Sequence, residues 1–321
     1  MNLCNETTEA PEVLIAYHAN CIDGFTAAWV VARVMRKEGR NFELIAMEYN
    51  AASDAKLLKA AGYYKELYIV DFSLSVAILD NLSECFPALD TILLDHHKTA
   101  FEKYAPDMSV CKTSCWHGNI SGTHVSLDNN HSGASLAWMY FYPGKDLPLL
   151  IKYVQDYDLW RFNLGEQTKW VNKFLSAEPK SIDNWEHLYD IFRCDETAYV
   201  AVNKGFKLQE AHNGKVEVVA AGASGLNLCG HSGLAVACPA ELVSDVGHAL
   251  AVKCGTFGAM YIVEPTANKV KWSLRSNDDF DVSAIAKHYG GGGHKNAAGF
   301  ETALFRDGQD LLAKMEGEFG E

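Results

Sequence analysis

The sequence predicts an α/β protein in two parts: an N-terminal, mainly parallel sheet with helices on both faces, and a smaller C-terminal α/β domain, with the site in a cleft between them. Three observations lead there. The chain has 321 residues, too many for one average domain and suited to two. In its first half, short and uniformly apolar runs alternate with helical segments, as strands buried on both faces require. Polar residues cluster just after those runs, and ligands of open parallel sheets bind at the carboxyl ends of the strands.

Residues 13–17 form the first apolar run and read as a strand, followed by a helix over 26–35. Residues 42–47 and 67–72 read as the second and third strands, 75–86 as a helix and 91–94 as the fourth strand. Residues 106–132 read as irregular and hold Cys111, Cys115, His117, His124 and His131. Helices are predicted over 134–141 and 149–156, the second running into Asp156-Tyr157-Asp158-Leu159-Trp160. Residues 197–212 read as a linker helix. Beyond it, 269–275 is one arm of a hairpin and 282–288 a helix capped by Asp281. The expected division is residues 1–190, a linker helix over 191–215, and 216–321. No internal repeat or low-complexity segment is visible.

Hydrophobic residues make up 48% of the chain and charged residues 21%, an ordinary globular balance. The net charge is −13, from 28 Lys+Arg against 41 Asp+Glu. Long duplex DNA is thereby an unsuitable partner, because its binding needs many phosphates neutralised by cationic side chains. No basic run extends beyond 33–40, which also argues against a track for long single strands. A few phosphates can still be held through metal ions, which net charge does not count. The nine cysteines are odd in number and scattered, and residues 1–12 lack an apolar core, so reduced thiols in the cytoplasm are expected. Residues 218–240 carry no Asp, Glu, Lys or Arg, but Gly222, Gly225, Gly230, Gly233 and Pro239 interrupt them. Buried strands with turns fit that stretch better than a membrane span.

The chemistry lies at the strand ends. After the first strand come His18, Asn20, Cys21, Asp23 and Gly24; after the third, Asp71 and Ser73; after the fourth, Asp95, His96, His97 and Lys98. A single carboxylate there is as well explained as a cap. Three such clusters at successive strand ends point to one site. His18, Asp23, Asp71, His96 and Asp156 are the candidate metal ligands, with Cys21 and Asp158 as further candidates. They are too many for one ion and suit two, with Asp71 as the bridge. Imidazole and carboxylate together suit Mn²⁺, Fe²⁺, Co²⁺ or Zn²⁺; Mn²⁺ is the expected ion, with Mg²⁺ a further alternative. Two such ions activate water and stabilise a phosphoryl group under attack. Cys21 as a plain small buried residue is at least as good a reading as Cys21 as a ligand. The Cys111, Cys115 and His117 spacing is not a usual zinc knuckle. Ser132 reads as a helix N-cap, and His131 as a residue facing the cleft. Glycines 290–293, then His294 and Lys295, suggest backbone brought close to a phosphate, and Arg275 a bidentate phosphate clamp.

These motifs resemble the DHH phosphoesterase superfamily. Asp95-His96-His97 is its name-giving triplet; Asp71-Phe72-Ser73, Asp156 within YVQDYDLW, and His18 with Asp23-Gly24 are similar to its other motifs. The C-terminal part, with Ser273-Leu274-Arg275-Ser276 and then DVSAIAKHYGGGGHKNAAGF, resembles the DHH-associated domain of nanoRNases and single-strand exonucleases. The resemblance spans nearly the whole chain and is weakest at the linker and over 100–130. It implies that His18 and Asp71 hold one ion, and that Asp23, Asp71, His96 and Asp156 hold the other. Asp156 is favoured over Asp158 because the family places an apolar or aromatic residue about four positions later, where Trp160 stands. The catalytic residues implied are Asp71, His97 touching the scissile phosphate and Asp95 orienting the histidines. Substrate binding is assigned to Arg275, Gly291, Gly292, Gly293, His294, Lys295 and His131. The departure is Cys21-Ile22-Asp23 where many members have Asp-x-Asp. The function implied is hydrolysis of short single-stranded oligonucleotides, foremost oligoribonucleotides, to mononucleotides. Alternatives are a cyclic dinucleotide, a bisphosphate nucleotide or polyphosphate as substrate, or a nucleotide sensor that has lost catalysis. The expected partner is a short single strand or small nucleotide, without membrane, and a homodimer is left open.

Overall fold

The computed structural model describes residues 12–106, 115–277, 280–306 and 309–310. They belong to two compact units, Met1–Gln209 and Glu210–Glu321.

The first unit runs β1 (Val13–His18), α1 (Ile22–Lys37), β2 (Phe42–Met47), α2 (Ala51–Ala61), β3 (Glu66–Val70), α3 (Val76–Cys85), β4 (Asp90–Asp95), α4 (Lys98–Tyr104), β5 (Cys115–Ile120), β6 (Thr123–Asp128), α5 (Gly133–Phe141), α6 (Leu149–Asp158), α7 (Gln167–Ala177), α8 (Ile182–Ile191) and most of α9 (Asp195–Ala221). The sheet order is β2-β1-β3-β4-β6-β5. All neighbours pair in parallel except the edge strand β5, which is antiparallel to β6. The chain leaves β1 towards β2 and returns to β3 on the other side, so the order reverses between β1 and β3. That reversal opens a crevice at the carboxyl ends of the strands.

Alternation along the strands feeds two cores. Val13, Ile15, Val70, Ile92 and Leu94 face α1 and the later helices. Leu14, Ala16, Ile69, Leu93, Val125 and Leu127 face the layer of α2, α3 and α4. Both faces being covered explains why the strands read as continuous apolar runs. Helix α1 begins at Ile22, ahead of the predicted start, and buries Phe25, Ala27, Ala28, Trp29 and Val30 against β1, α5 and α8. Trp185 of α8 is fully buried on it and donates from Nε1 to Thr26 Oγ1 at 2.9 Å.

Residues 115–128 are not irregular as expected. Within them β5 and β6 form a hairpin through Ser121 and Gly122, both at positive φ as a two-residue turn of this hand requires. Thr123, Val125 and Leu127 point inward and His124 and Ser126 outward, a period of two that the polar residues hid from a reading for apolar runs. Cys111 lies outside the described residues. Cys115 Sγ and His117 Nε2 stand 3.3 Å apart on the exposed edge strand, and no third ligand joins them among the described residues.

The second unit holds β7 (Ser224–Leu228), β8 (His231–Ala237), α10 (Val243–Cys254), β9 (Phe257–Glu264), β10 (Lys269–Ser276), α11 (Val282–His288), β11 (Gly292–His294) and β12 (Ala297–Ala303). Its sheet order is β11-β12-β10-β9-β8-β7. The charge-free stretch 218–240 resolves into the end of α9, then β7 and β8 joined at Cys229 and Gly230. No helix among the described residues is long and apolar enough to cross a membrane. Asp281 caps α11 by accepting from Ser283 N at 2.8 Å, as expected.

Candidate metal centre

The crevice of the first sheet gathers His18 from the end of β1, Cys21 and Asp23 from the start of α1, Asp71 after β3, Asp95, His96 and His97 at the end of β4, and Asp158 at the end of α6. Asp71 is 1% exposed and takes a left-handed backbone, φ 53°, a conformation that Asp tolerates better than most residues. Its N–H donates to Leu94 O at 2.9 Å, which turns the chain back over the strand ends. Two glycines make room for it. A Cβ on Gly133 would lie 2.5 Å from Asp71 Cβ, and one on Gly24 would lie 3.0 Å from Asp71 Oδ2 and 2.6 Å from His18 O.

Three carboxylates converge on one imidazole nitrogen. His96 Nε2 lies 3.1 Å from Asp71 Oδ1, 3.4 Å from Asp158 Oδ2 and 3.8 Å from Asp23 Oδ2. Asp23 is anchored by the N-terminus of α5: Oδ2 accepts from Gly133 N at 2.6 Å and Oδ1 from Ala134 N at 3.0 Å. Burial, together with Asp71 and Asp158, still pushes the Asp23 carboxyl well above its usual range. Burial and the Asp71 charge likewise raise Asp158, against His96, His97 and His18. Burial would raise Asp71 too, but the nearby His18 ring and the His96 hydrogen bond hold it below the usual carboxylate range. Burial opposes the charge on His96, yet the Asp71 hydrogen bond and the carboxylates of Asp23, Asp71 and Asp158 outweigh it and lift its pKa to about 10. So much negative charge around one imidazole is the environment of a cation.

The donor set fits divalent metal. His18 Nδ1, Asp71 Oδ2 and Asp158 Oδ2 are buried atoms without a hydrogen-bond partner. His18, Cys21 and Asp71 offer one compact group of ligand atoms, and Asp23, His96 and Asp158 another. Asp71 Oδ2 lies 3.6 Å from His18 Nδ1 while its Oδ1 meets His96, so one carboxylate serves both groups. Asp95 has a different place. Its Oδ1 accepts from His96 N at 2.7 Å, His97 N at 3.2 Å and His97 Nδ1 at 2.7 Å, which keeps a proton on His97 Nδ1. Burial disfavours a charged His97, but the Asp95 hydrogen bond and charge prevail and raise its pKa above the ordinary imidazole value.

Asp156 is not in the cluster. Its Oδ1 accepts from Asn163 N at 2.8 Å, and its Oδ2 from Leu164 N at 3.0 Å and Thr168 Oγ1 at 2.5 Å, closing the turn into α7. Burial is outweighed there by those bonds, and the carboxyl is held low. Asp158, two residues on, takes the place beside His96. His131 is paired through Nδ1 with Asp128 Oδ2 at 2.9 Å, and Ser132 caps α5.

In the second unit, Arg275 Nη1 donates to Leu274 O at 2.9 Å and Nη2 approaches Ser244 Oγ at 3.4 Å. The close approach expected of the glycine run is internal: a Cβ on Gly291 would lie 2.1 Å from Gly299 O, and one on Gly293 2.5 Å from Ala298 Cα, both on β12. Gly290 and Gly293 have positive φ, and Gly292 faces open space. His294 and Lys295 are exposed.

Several neighbours escaped the sequence reading. A cavity of about 350 Å³ adjoins the cluster, lined by Asn20, Cys21, Asp23, Asp158, Asn172 and Lys180 among others. Tyr49, 55% exposed, stacks on Phe72 at 4.3 Å and sets its ring 5.5 Å from that of His18. Trp160, 69% exposed, packs edge-on to Tyr157. Exposed aromatics beside acidic strand ends were the available signal, but fourteen Tyr and seven Trp gave no way to choose.

The first unit is thus an open, mainly parallel sheet with a His–Asp cluster at the carboxyl ends of its strands, where ligands of such sheets bind. Residues 244–321 match the model of the DHHA1 domain. The match places a DHHA1 domain in the second unit, and Asp95-His96-His97 lies at the crevice of the first. The chain is 26% identical over 314 residues to uncharacterized protein R106 of Acanthamoeba polyphaga mimivirus, covering 89% of this chain and 66% of that relative's length. Its structure is similar to the pGpG-specific phosphodiesterase PggH of Vibrio cholerae, with a TM-score of 0.51 at 13% identity over 92% of this chain and 94% of that one. RecJ of Thermus thermophilus, solved with Mg²⁺, aligns at a TM-score of 0.39 and 14% identity over 92% of this chain and 47% of that one.

Proposed function

We propose that this protein is a metal-dependent phosphodiesterase that hydrolyses short single-stranded oligonucleotides, foremost oligoribonucleotides, to mononucleotides. The observation that carries this reading is the convergence of Asp23, Asp71 and Asp158 on His96 Nε2, with His18 sharing Asp71 from the other side. His18 and Asp71 would hold one divalent ion, and Asp23, Asp71, His96 and Asp158 the other. When bound, such a pair lowers the pKa of water and neutralises charge on a phosphoryl group. Manganese suits these donors, with cobalt, iron, zinc and magnesium as alternatives.

The chain's own residues do the rest. Asp71 holds the two ligand groups in register. Asp23, fixed by Gly133 N and Ala134 N, keeps its oxygens in place as charge develops. His97, raised in pKa beside Asp95, would in its doubly protonated form keep Nδ1–H on Asp95 and offer Nε2–H as a hydrogen-bond donor to a phosphoryl oxygen of the substrate. In the second unit, phosphate binding is assigned to Arg275 and to Gly291, Gly292, Gly293, His294 and Lys295, the last five all exposed. A short substrate is supported by the net charge of −13 and by the cavity of about 350 Å³ beside the cluster. The test is product analysis by mass spectrometry with Mn²⁺ and a panel of short RNAs, a cyclic dinucleotide, a bisphosphate nucleotide and polyphosphate. Mononucleotides formed from RNA by the wild type, and not by Asp71→Ala, are expected. Turnover of another panel member in place of RNA would replace the substrate, and binding without turnover would replace the enzyme by a sensor.

A further inference from the structure

We propose that Cys21 is a metal ligand, so that the first position is a His–Cys–Asp site selecting a softer ion than its neighbour. The proposal rests on the metal-centre reading and goes beyond it. Three observations carry it. The Cys21 sulfur falls in one group with a ring nitrogen of His18 and a carboxylate oxygen of Asp71, all within 4.8 Å of one another. Two atoms of that group, His18 Nδ1 and Asp71 Oδ2, are buried without a hydrogen-bond partner, and a shared cation satisfies both. Local structure does not call for a cysteine: it stands at the N-cap of α1, where Ser, Thr, Asp or Asn would serve better.

The cysteine is also reachable, since it lines the cavity beside the cluster. Ligation is a simple exchange: the sulfur–metal bond forms as the thiol proton leaves to solvent, and nothing is oxidised or reduced. The second group offers only imidazole and carboxylate. A thiolate at the first position favours Zn²⁺, Co²⁺ or Fe²⁺ over Mn²⁺ and Mg²⁺ there, while the second keeps the harder preference. The two positions of one centre thereby differ in the metal they hold best.

Cobalt distinguishes the outcomes, because it reports both its own coordination and bonding to sulfur. The full chain, stripped of metal, is titrated with Co²⁺ and followed by absorption. A thiolate-to-cobalt charge-transfer band in the near ultraviolet is expected in the wild type and is expected to be absent in Cys21→Asp and Cys21→Ser. Both variants should retain the visible cobalt bands of the His–carboxylate position. By calorimetry, Cys21→Asp should lower Zn²⁺ affinity at one site by more than the ~10–100-fold that loss of an outer-shell partner causes. Visible cobalt bands without charge transfer in the wild type, or charge transfer that survives in both variants, would overturn the cysteine and leave the centre standing. No cobalt bound at all would overturn the centre and the proposal together.

Discussion

Gly133→Ala tests the architecture of the centre without touching a ligand. Gly133 is the first residue of α5, and alanine there brings no backbone strain. The added Cβ, however, would stand 2.5 Å from Asp71 Cβ, 2.9 Å from its Cγ and 2.9 Å from its Oδ1. Ordinary carbon contacts begin near 3.4 Å, so about 0.9 Å must be found at the closest pair. Asp71 cannot rotate away cheaply, because its left-handed backbone is tied to Leu94 O and its carboxylate to His96. Overpacking of this kind costs about 1–3 kcal/mol of stability. A displacement near 1 Å at a reacting centre costs about 10²-fold in rate. The assay is Mn²⁺ titration by calorimetry, with thermal unfolding of the metal-free protein and turnover of the best substrate. Gly214→Ala is the control, since its Cβ would meet nothing within 4 Å in α9, and alanine should stabilise that helix by about 0.5–1 kcal/mol. Unchanged Mn²⁺ affinity and turnover in Gly133→Ala would refute the placement of Asp71.

Asp156→Asn should leave metal binding intact and lower stability by about 1–3 kcal/mol through loss of a charged acceptor that ties the turn into α7, read by chemical denaturation. Asp158→Asn should do the reverse, abolishing one ion by calorimetry while unfolding occurs at an unchanged or higher temperature, because a carboxylate raised by burial and by Asp71 is relieved. Metal affinity should rise with pH: His96 holds its proton up to about pH 10 and must release it to ligate, so Kd should fall ~10-fold per pH unit between pH 7 and 9 for one proton displaced. In the metal-free protein the sign is opposite, since the raised His96 adds stability that is complete below about pH 6.5 and is lost as pH climbs towards 10, measurable as a falling Tm. Trp160→Ala should leave Tm within experimental error and weaken an oligonucleotide by about 1–3 kcal/mol in KM if a base stacks on its exposed ring.

The first, third and fourth strands were legible because each is largely buried on both faces and ends in a polar cluster, so apolar runs and strand-end chemistry agreed. The β5–β6 hairpin was not, because β5 is an exposed edge strand and β6 alternates, and neither offers a continuous apolar run. Asp71, His96 and Asp23 could be picked out by position alone. The choice between Asp156 and Asp158 could not, since two steps along a helix turn a side chain about 200° and only packing says which direction faces the crevice. The glycine run was read as room for a ligand. In the structure Gly291 and Gly293 yield to β12, a long-range contact that no local pattern announces.

The ligands of the centre come from β1, α1, β3, β4 and α6, from His18 to Asp158. Ions bound there would therefore act as cross-links that tie distant stretches of chain into closed loops. Such ties restrict the denatured chain as well as joining the folded one, so chelation should loosen the whole rim of the sheet in one step. Gly133 N and Ala134 N, which hold Asp23, give that rim a local reporter. Their amide hydrogen exchange should quicken on chelation, making the start of a helix with no metal ligand of its own a gauge of how full the centre is.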